Sequence, residues 1–165
     1  MKKVAIIMGS DSDLPIVQKA IDVLNEFNVG YEVHVYSAHR TPYEAMNFAK
    51  SLRENEFGAC ICFAGMAAHL AGAVAAQTTI PVIGVPCDSG RLSGLDALLS
   101  TVQMPSGIPV ATVAINGGAN SALLAIQMLS ISDDKLAKAL DDKRQSDKQV
   151  VLEKNKKVEN NFNNK

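Results

Sequence analysis

The run Ala59-Cys60-Ile61-Cys62-Phe63-Ala64 contains no polar side chain other than two thiols. A strand with one wet face alternates apolar and polar residues, whereas a strand covered on both faces of a parallel sheet reads as a continuous apolar run. Alternate residues of a strand share a face, so Cys60 and Cys62 read as small core residues. With Cys87 they make an odd count of three, which argues against a disulfide framework. No further Cys/His pair stands at ligand spacing, so no metal is expected.

Working outward, Lys3–Met8, Tyr31–Tyr36, Pro81–Val85 and Val110–Ile115 read as four further strands. Helical patterns fill the gaps: Leu14–Asn28, Thr41–Asn55, a small-residue helix from about Ala67, Leu95–Val102 and Ala119–Ser130. In the first, Ile16, Val17, Ala20, Val23, Leu24 and Phe27 recur at near-helical spacing. Asp13 is the expected N-cap there, with Pro15 in the first turn. Thr41, Pro42 and Glu44 form a capping-box pattern for the second helix. The alternation implies an α/β protein with a three-layer, doubly wound parallel sheet. Residues 1–132 form the expected catalytic domain. Residues 133–165 form an expected C-terminal helical extension, charged from about Asp133 and fraying into an Asn/Lys-rich end. It belongs to the same domain or packs on a neighbouring subunit.

A chain of 165 residues suits one domain. The formal net charge is −1, without a basic stripe in the main body, which argues against nucleic acid as a partner. No stretch approaches the roughly 20 apolar residues of a membrane span. The start Met1-Lys2-Lys3 has the charge of a signal peptide, but its apolar run ends at once in Gly9-Ser10-Asp11-Ser12-Asp13. The expectation is a cytoplasmic protein acting on a small molecule.

Ligands of open parallel sheets bind beyond the carboxyl ends of the strands. The turns expected there are Gly9–Asp13, Ser37-Ala38-His39-Arg40-Thr41-Pro42, Ala64–His69, Pro86–Arg91 and Asn116–Asn120. Gly9 permits close approach, Ser10 and Ser12 offer hydroxyls, and amides at a helix start favour an anion. Asp13 is placed to cap or to accept from ribose hydroxyls. Arg40 opposes a helix dipole, so an anionic ligand such as a phosphate is a sensible reason for it. His39 is a proton carrier near neutral pH. His69 stands open between a catalytic or substrate-contacting role and a capping or packing one, whereas His34, mid-strand, reads as structural.

These turns, with Ala67-Ala68-His69-Leu70, Leu92–Ser100, Val102–Val110 and Ala122–Ala125, closely resemble the bacterial N5-carboxyaminoimidazole ribonucleotide mutase family, class I. The similarity runs in order from about Val4 to Leu140. It implies a flavodoxin-like fold, a homo-octamer and no cofactor. It also implies conversion of N5-carboxyaminoimidazole ribonucleotide to 4-carboxy-5-aminoimidazole ribonucleotide in purine synthesis. By position, Ser10, Asp13 and Arg40 would bind the ribose-phosphate, Ser37 would lie in the same site, and His39 would be the acid and base. The related class II enzymes, which carboxylate aminoimidazole ribonucleotide directly, carry Lys where Arg40 stands and lack the Ala-Ala-His-Leu run. A non-catalytic flavin- or nucleotide-binding module is a third reading. Aromatic residues at 5% and no Trp leave little to cover a flavin ring. Two departures from the family stand out: Ala71 replaces Pro in the His-Leu-Pro-Gly run, and the loop Cys87–Arg91 bears two charges.

Overall fold

The computed structural model describes residues 2–163. Five parallel strands lie in the order β2-β1-β3-β4-β5. They are β1 (Lys3–Met8), β2 (Tyr31–Val35), β3 (Phe57–Gly65), β4 (Val82–Cys87) and β5 (Ala111–Thr112). The helices are α1 (Leu14–Glu26), α2 (Pro42–Ser51), α3 (Leu70–Ala75), α4 (Leu95–Val102), α5 (Gly118–Ser130) and α6 (Asp134–Phe162).

The period of two along each strand divides the core. Val4, Ile6 and Met8 of β1, with Ile61 and Phe63 of β3, pack under α1 and α5. Ala5 and Ile7, with Cys60 and Cys62, pack under α2 and α3 on the other face. The thiols are 3.8 Å apart, reduced and buried, as small core residues. Glycine permits a close approach of α1 and α5. A Cβ on Gly118, at the start of α5, would stand 2.2 Å from the Ile16 carbonyl oxygen of α1.

Several boundaries differ from the sequence expectation, each for a local reason. α1 stops at Glu26, not Asn28, because Asn28 takes a left-handed φ of 54°. Its N–H bonds the Asn25 carbonyl and that of Val29 bonds Leu24, which is a Schellman closure. α2 ends at Ser51, short of Asn55, and Glu56 at φ 60° makes the same closure through Phe57 N–H to the Leu52 carbonyl. The expected capping box of α2 does not form. The Thr41 hydroxyl instead accepts from Ser37 N–H at 2.8 Å and donates to the Ser37 carbonyl. Asp13 makes no cap bond either; Ser10 caps a single 3-10 turn, Asp11–Asp13, that leads into α1.

α3 begins at Leu70 and not near Ala67, after a turn through Met66 at φ 55°. β5 shrinks to two residues from the six expected. Asn116 N–H reaches the Pro86 carbonyl at 2.9 Å. In a parallel ladder a residue's N–H and C=O face the same neighbour, so Pro86 offers β5 an acceptor and no donor. The tail does not fray within the described residues. α6 runs unbroken to Phe162, capped by Asp133 and braced by Lys138–Asp142 and Lys143–Asp147 pairs. No glycine or proline interrupts residues 133–163. Only Leu136 of α6 is buried. Asn164 and Lys165 lie outside the described residues.

The α1–α5 approach sets a first expectation. Gly118→Ala forces a methyl against a backbone carbonyl that has no rotamer to move aside, so it should cost about 1–3 kcal/mol. Chemical denaturation measures this, and an unchanged midpoint would show that the two helices can part freely.

Candidate active site

The order 2-1-3 puts the topological switch between β1 and β3, where the chain leaves the sheet in opposite directions. Three turns meet there. Gly9 N–H bonds the Phe63 carbonyl at 3.0 Å, and Tyr36 N–H bonds the Met8 carbonyl at 3.0 Å, extending the ladder to the edge. Beyond it lies a cavity of about 560 Å³. All seven residues singled out from the sequence line it: Ser10, Ser12, Asp13, Ser37, His39, Arg40 and His69. A wider hollow of about 900 Å³ lies around Arg53 and Thr79, where the sheet's strands begin. It holds no histidine, and Arg53 is committed to the Thr79 hydroxyl at 2.7 Å.

Ser37 builds the second turn. Its hydroxyl accepts from the N–H of His39 at 3.3 Å and of Arg40 at 3.1 Å. This fixes the backbone of the turn that carries both side chains. The Arg40 guanidinium donates to the Gly9 carbonyl at 2.7 Å, tying the β2 turn to the β1 turn. Four of its five N–H donors remain. In the first turn Ser10 Oγ accepts from Ser12 N–H and from the Ser12 hydroxyl at 2.9 Å. The third turn brings His69 to His39. His39 Nε2 and His69 Nδ1 are 2.9 Å apart, with the rings at 84°. One imidazole must donate and the other accept, so the pair shares a proton across the cavity rim. The sequence left His69 open between two roles, and the structure puts it in hydrogen-bond contact with His39.

Asp13 is half-buried, and loss of water around its carboxyl raises its pKa above the usual carboxylate value. Cys87, beneath it at the end of β4, is buried, and desolvation with the Asp13 charge pushes its thiol to about 12. Cys87 is therefore a neutral thiol at physiological pH and no nucleophile. His34 stacks on Tyr36 with ring centroids 5.0 Å apart and packs on Phe48, away from this cavity, which agrees with a structural role. Met66 and Ser89 also line the site. Sequence reasoning quoted the turns that hold them but did not single out either residue. No group of three or more His, Cys, Asp or Glu is arranged for a metal among the described residues. No helix among them is long and apolar enough to cross a membrane.

A parallel sheet that gathers an imidazole pair, a guanidinium and serine hydroxyls at its switch point is the frame of an enzyme acting on a small anionic molecule. Comparison with known proteins narrows the class. The family pattern described as AIR carboxylase matches residues 3–150, and the chain belongs to that family. It is 47% identical over 159 residues to the N5-carboxyaminoimidazole ribonucleotide mutase of Thermotoga maritima, covering 96% of this chain and 93% of that protein. It is 53% identical over 152 residues to the mutase of the same name from Bacillus subtilis, covering 91% and 94%. The crystal structure of Treponema denticola PurE superposes with a TM-score of 0.86 at 30% identity, covering 94% of this chain and 97% of that one.

The state of Asp13 has a measurable consequence. A carboxyl whose pKa is raised by folding binds its proton more tightly in the folded chain, so its ionised form costs stability at neutral pH. Asp13→Asn should therefore melt slightly higher than the parent at pH 7. The gain should vanish as the pH falls to the ordinary carboxylate value near 3.8, where the parent is protonated too. A gain that persists at low pH would refute desolvation as the cause.

Proposed function

We propose that this enzyme converts N5-carboxyaminoimidazole ribonucleotide to 4-carboxy-5-aminoimidazole ribonucleotide in purine synthesis, with His39 as acid and base and no cofactor. The observation that carries the reading is the His39–His69 pair lining one cavity with Ser10, Asp13 and Arg40. Relatives bearing the mutase name, about half identical over nearly the whole chain, give the substrate.

The carboxyl group must leave a nitrogen and arrive at a ring carbon. In the first half, the bond from N5 to the carboxyl carbon breaks, carbon dioxide departs and the nitrogen takes a proton from His39. In the second half, the ring carbon C4 attacks the carbon dioxide, and the proton displaced from C4 returns to His39. The proton count closes on a single imidazole, which gives a proton in the first half and takes one back in the second. His69 supports the assignment as a partner that receives or returns the shared proton. Arg40 would take the phosphate through its remaining donors. Ser10 and Ser12 would supply hydroxyls to it, and Asp13 would accept from the ribose. Ser37 acts through the backbone of the His39–Arg40 turn.

The same reading includes a homo-octamer in the cytoplasm. Three reduced cysteines suit a reducing compartment. Leu95, Leu99 and Val102 along α4, with Leu92 just before it, are each between 45% and 62% exposed and give an apolar surface that suits a second copy of the chain. His39, His69 and Arg40 are themselves exposed, so another subunit could help close the site. Light scattering should give eight times the chain mass, with Leu95→Ser/Leu99→Ser dissociating the assembly. A parent that scatters as a monomer would remove the octamer.

The decisive assay supplies N5-carboxyaminoimidazole ribonucleotide and, separately, aminoimidazole ribonucleotide with low bicarbonate, both without ATP. Rapid conversion of the first alone is expected. His39→Asn should keep the fold and substrate affinity and lose at least 100-fold in turnover. Efficient use of the second alone would make the enzyme a direct carboxylase, and no product from either would favour a non-catalytic module.

A further inference from the structure

Among the described residues, five non-glycine positions have a left-handed φ: Asn28, Glu56, Met66, Ser93 and Asn116. Asn28 and Glu56 close helix ends, as described above. The Asn116 side-chain oxygen accepts from Asp88 N–H at 2.9 Å, and asparagine tolerates this region. Met66 differs from all four. It is the apolar one, and it is the one that lines the cavity. Its φ is 55° and the residue is 57% exposed.

The turn from β3 toward α3 needs that backbone conformation, and glycine would supply it without steric cost. Burial does not repay the strain, since more than half of the residue is exposed. A strained backbone that persists without packing gain points to what the side chain faces. Met66 lines that cavity together with His39, His69 and Gly9. Gly65, Ala64 and Ala38 line the same cavity, and residues this small leave room there for a ring. A flexible, polarisable thioether is suited to cover a planar heteroaromatic ring.

We propose that Met66 is the apolar cover of this site: it lies on the imidazole ring of the bound ribonucleotide and keeps the freed carbon dioxide from exchanging with solvent. The proposal rests on the mutase reading above. It assigns Met66 no bond-making role. It bears on how tightly substrate is held and on how often the carbon dioxide is recaptured by the ring that released it.

The test runs the conversion of N5-carboxyaminoimidazole ribonucleotide in ¹³C-bicarbonate and reads label in the product carboxyl, with carbonic anhydrase keeping the medium equilibrated. The parent should give product almost free of label. Met66→Gly should melt at the parent's temperature or above, because it relieves the backbone. Its KM should rise about 2- to 10-fold, the range a sulfur–aromatic contact corresponds to. Its label incorporation should rise at least about 3-fold. Met66→Leu, which restores an apolar cover, should return label incorporation toward the parent. A glycine variant with the parent's KM and label content would overturn the proposal, as would a leucine variant as leaky as glycine. A parent that fails to convert the substrate at all would instead overturn the mutase reading, an outcome visible before any variant is compared.

Discussion

The site depends on β1 being paired in parallel on both sides. Met8, its last residue, stands opposite Val35 of β2 and Phe63 of β3. Because all three strands run the same way, their following turns leave from one edge, within side-chain reach of one another. Antiparallel pairing of any one strand would send its turn to the far end of the sheet. Burial enforces the arrangement. Val4 through Ile7 are fully buried, half under α1 and α5 and half under α2 and α3, so neither face of β1 can be turned to water. A slip of one residue would exchange the two faces and misfit both layers.

On that frame the turns hold one another. Ser37 receives two backbone N–H groups, Arg40 reaches back to the Gly9 carbonyl, and His39 meets His69. Each bond joins a different pair of strand ends, or stiffens one of the ends being joined. Individually such bonds contribute about 1 kcal/mol of net stability. Their larger effect is to orient polar groups in advance, so that a bound molecule need not order them.

Most of this was readable from residue pattern. The apolar run at β3, the helical spacing of Ile16 to Phe27 and the loaded turns together specified the layers and the residues at their shared edge. What escaped reading lay where a local rule met a tertiary one. Thr41 and Glu44 satisfy a capping box, yet the Thr41 hydroxyl is taken by Ser37. Pro86 sits inside β4, and its missing N–H is felt one strand away, where β5 loses its ladder. The Asn/Lys-rich end looked too polar to hold structure. It lacks any helix breaker, however, and Asp133 with two i,i+4 ion pairs starts and braces the helix. Met66 was silent for a different reason: side-chain chemistry is printed in a sequence, and backbone φ is not.

The charges at the cavity bear directly on what it can bind. Asp13 and Arg40 line the same space, and a salt bridge between them would be the simplest way to neutralise both. No such pair forms among the described residues. Arg40 is held by a neutral carbonyl, which fixes its position without cancelling its charge, and most of its donors stay available. Asp13 meets a desolvated setting, which weakens its hold on the charged form. A cation left uncancelled beside hydroxyls and a carboxyl poised to accept from hydroxyls do not suit an apolar ligand. They suit a molecule that brings its own anion and its own sugar. Two imidazoles stand a hydrogen bond apart in the same cavity. The cavity thus keeps an uncancelled cation and a hydrogen-bonded imidazole pair on separate side chains.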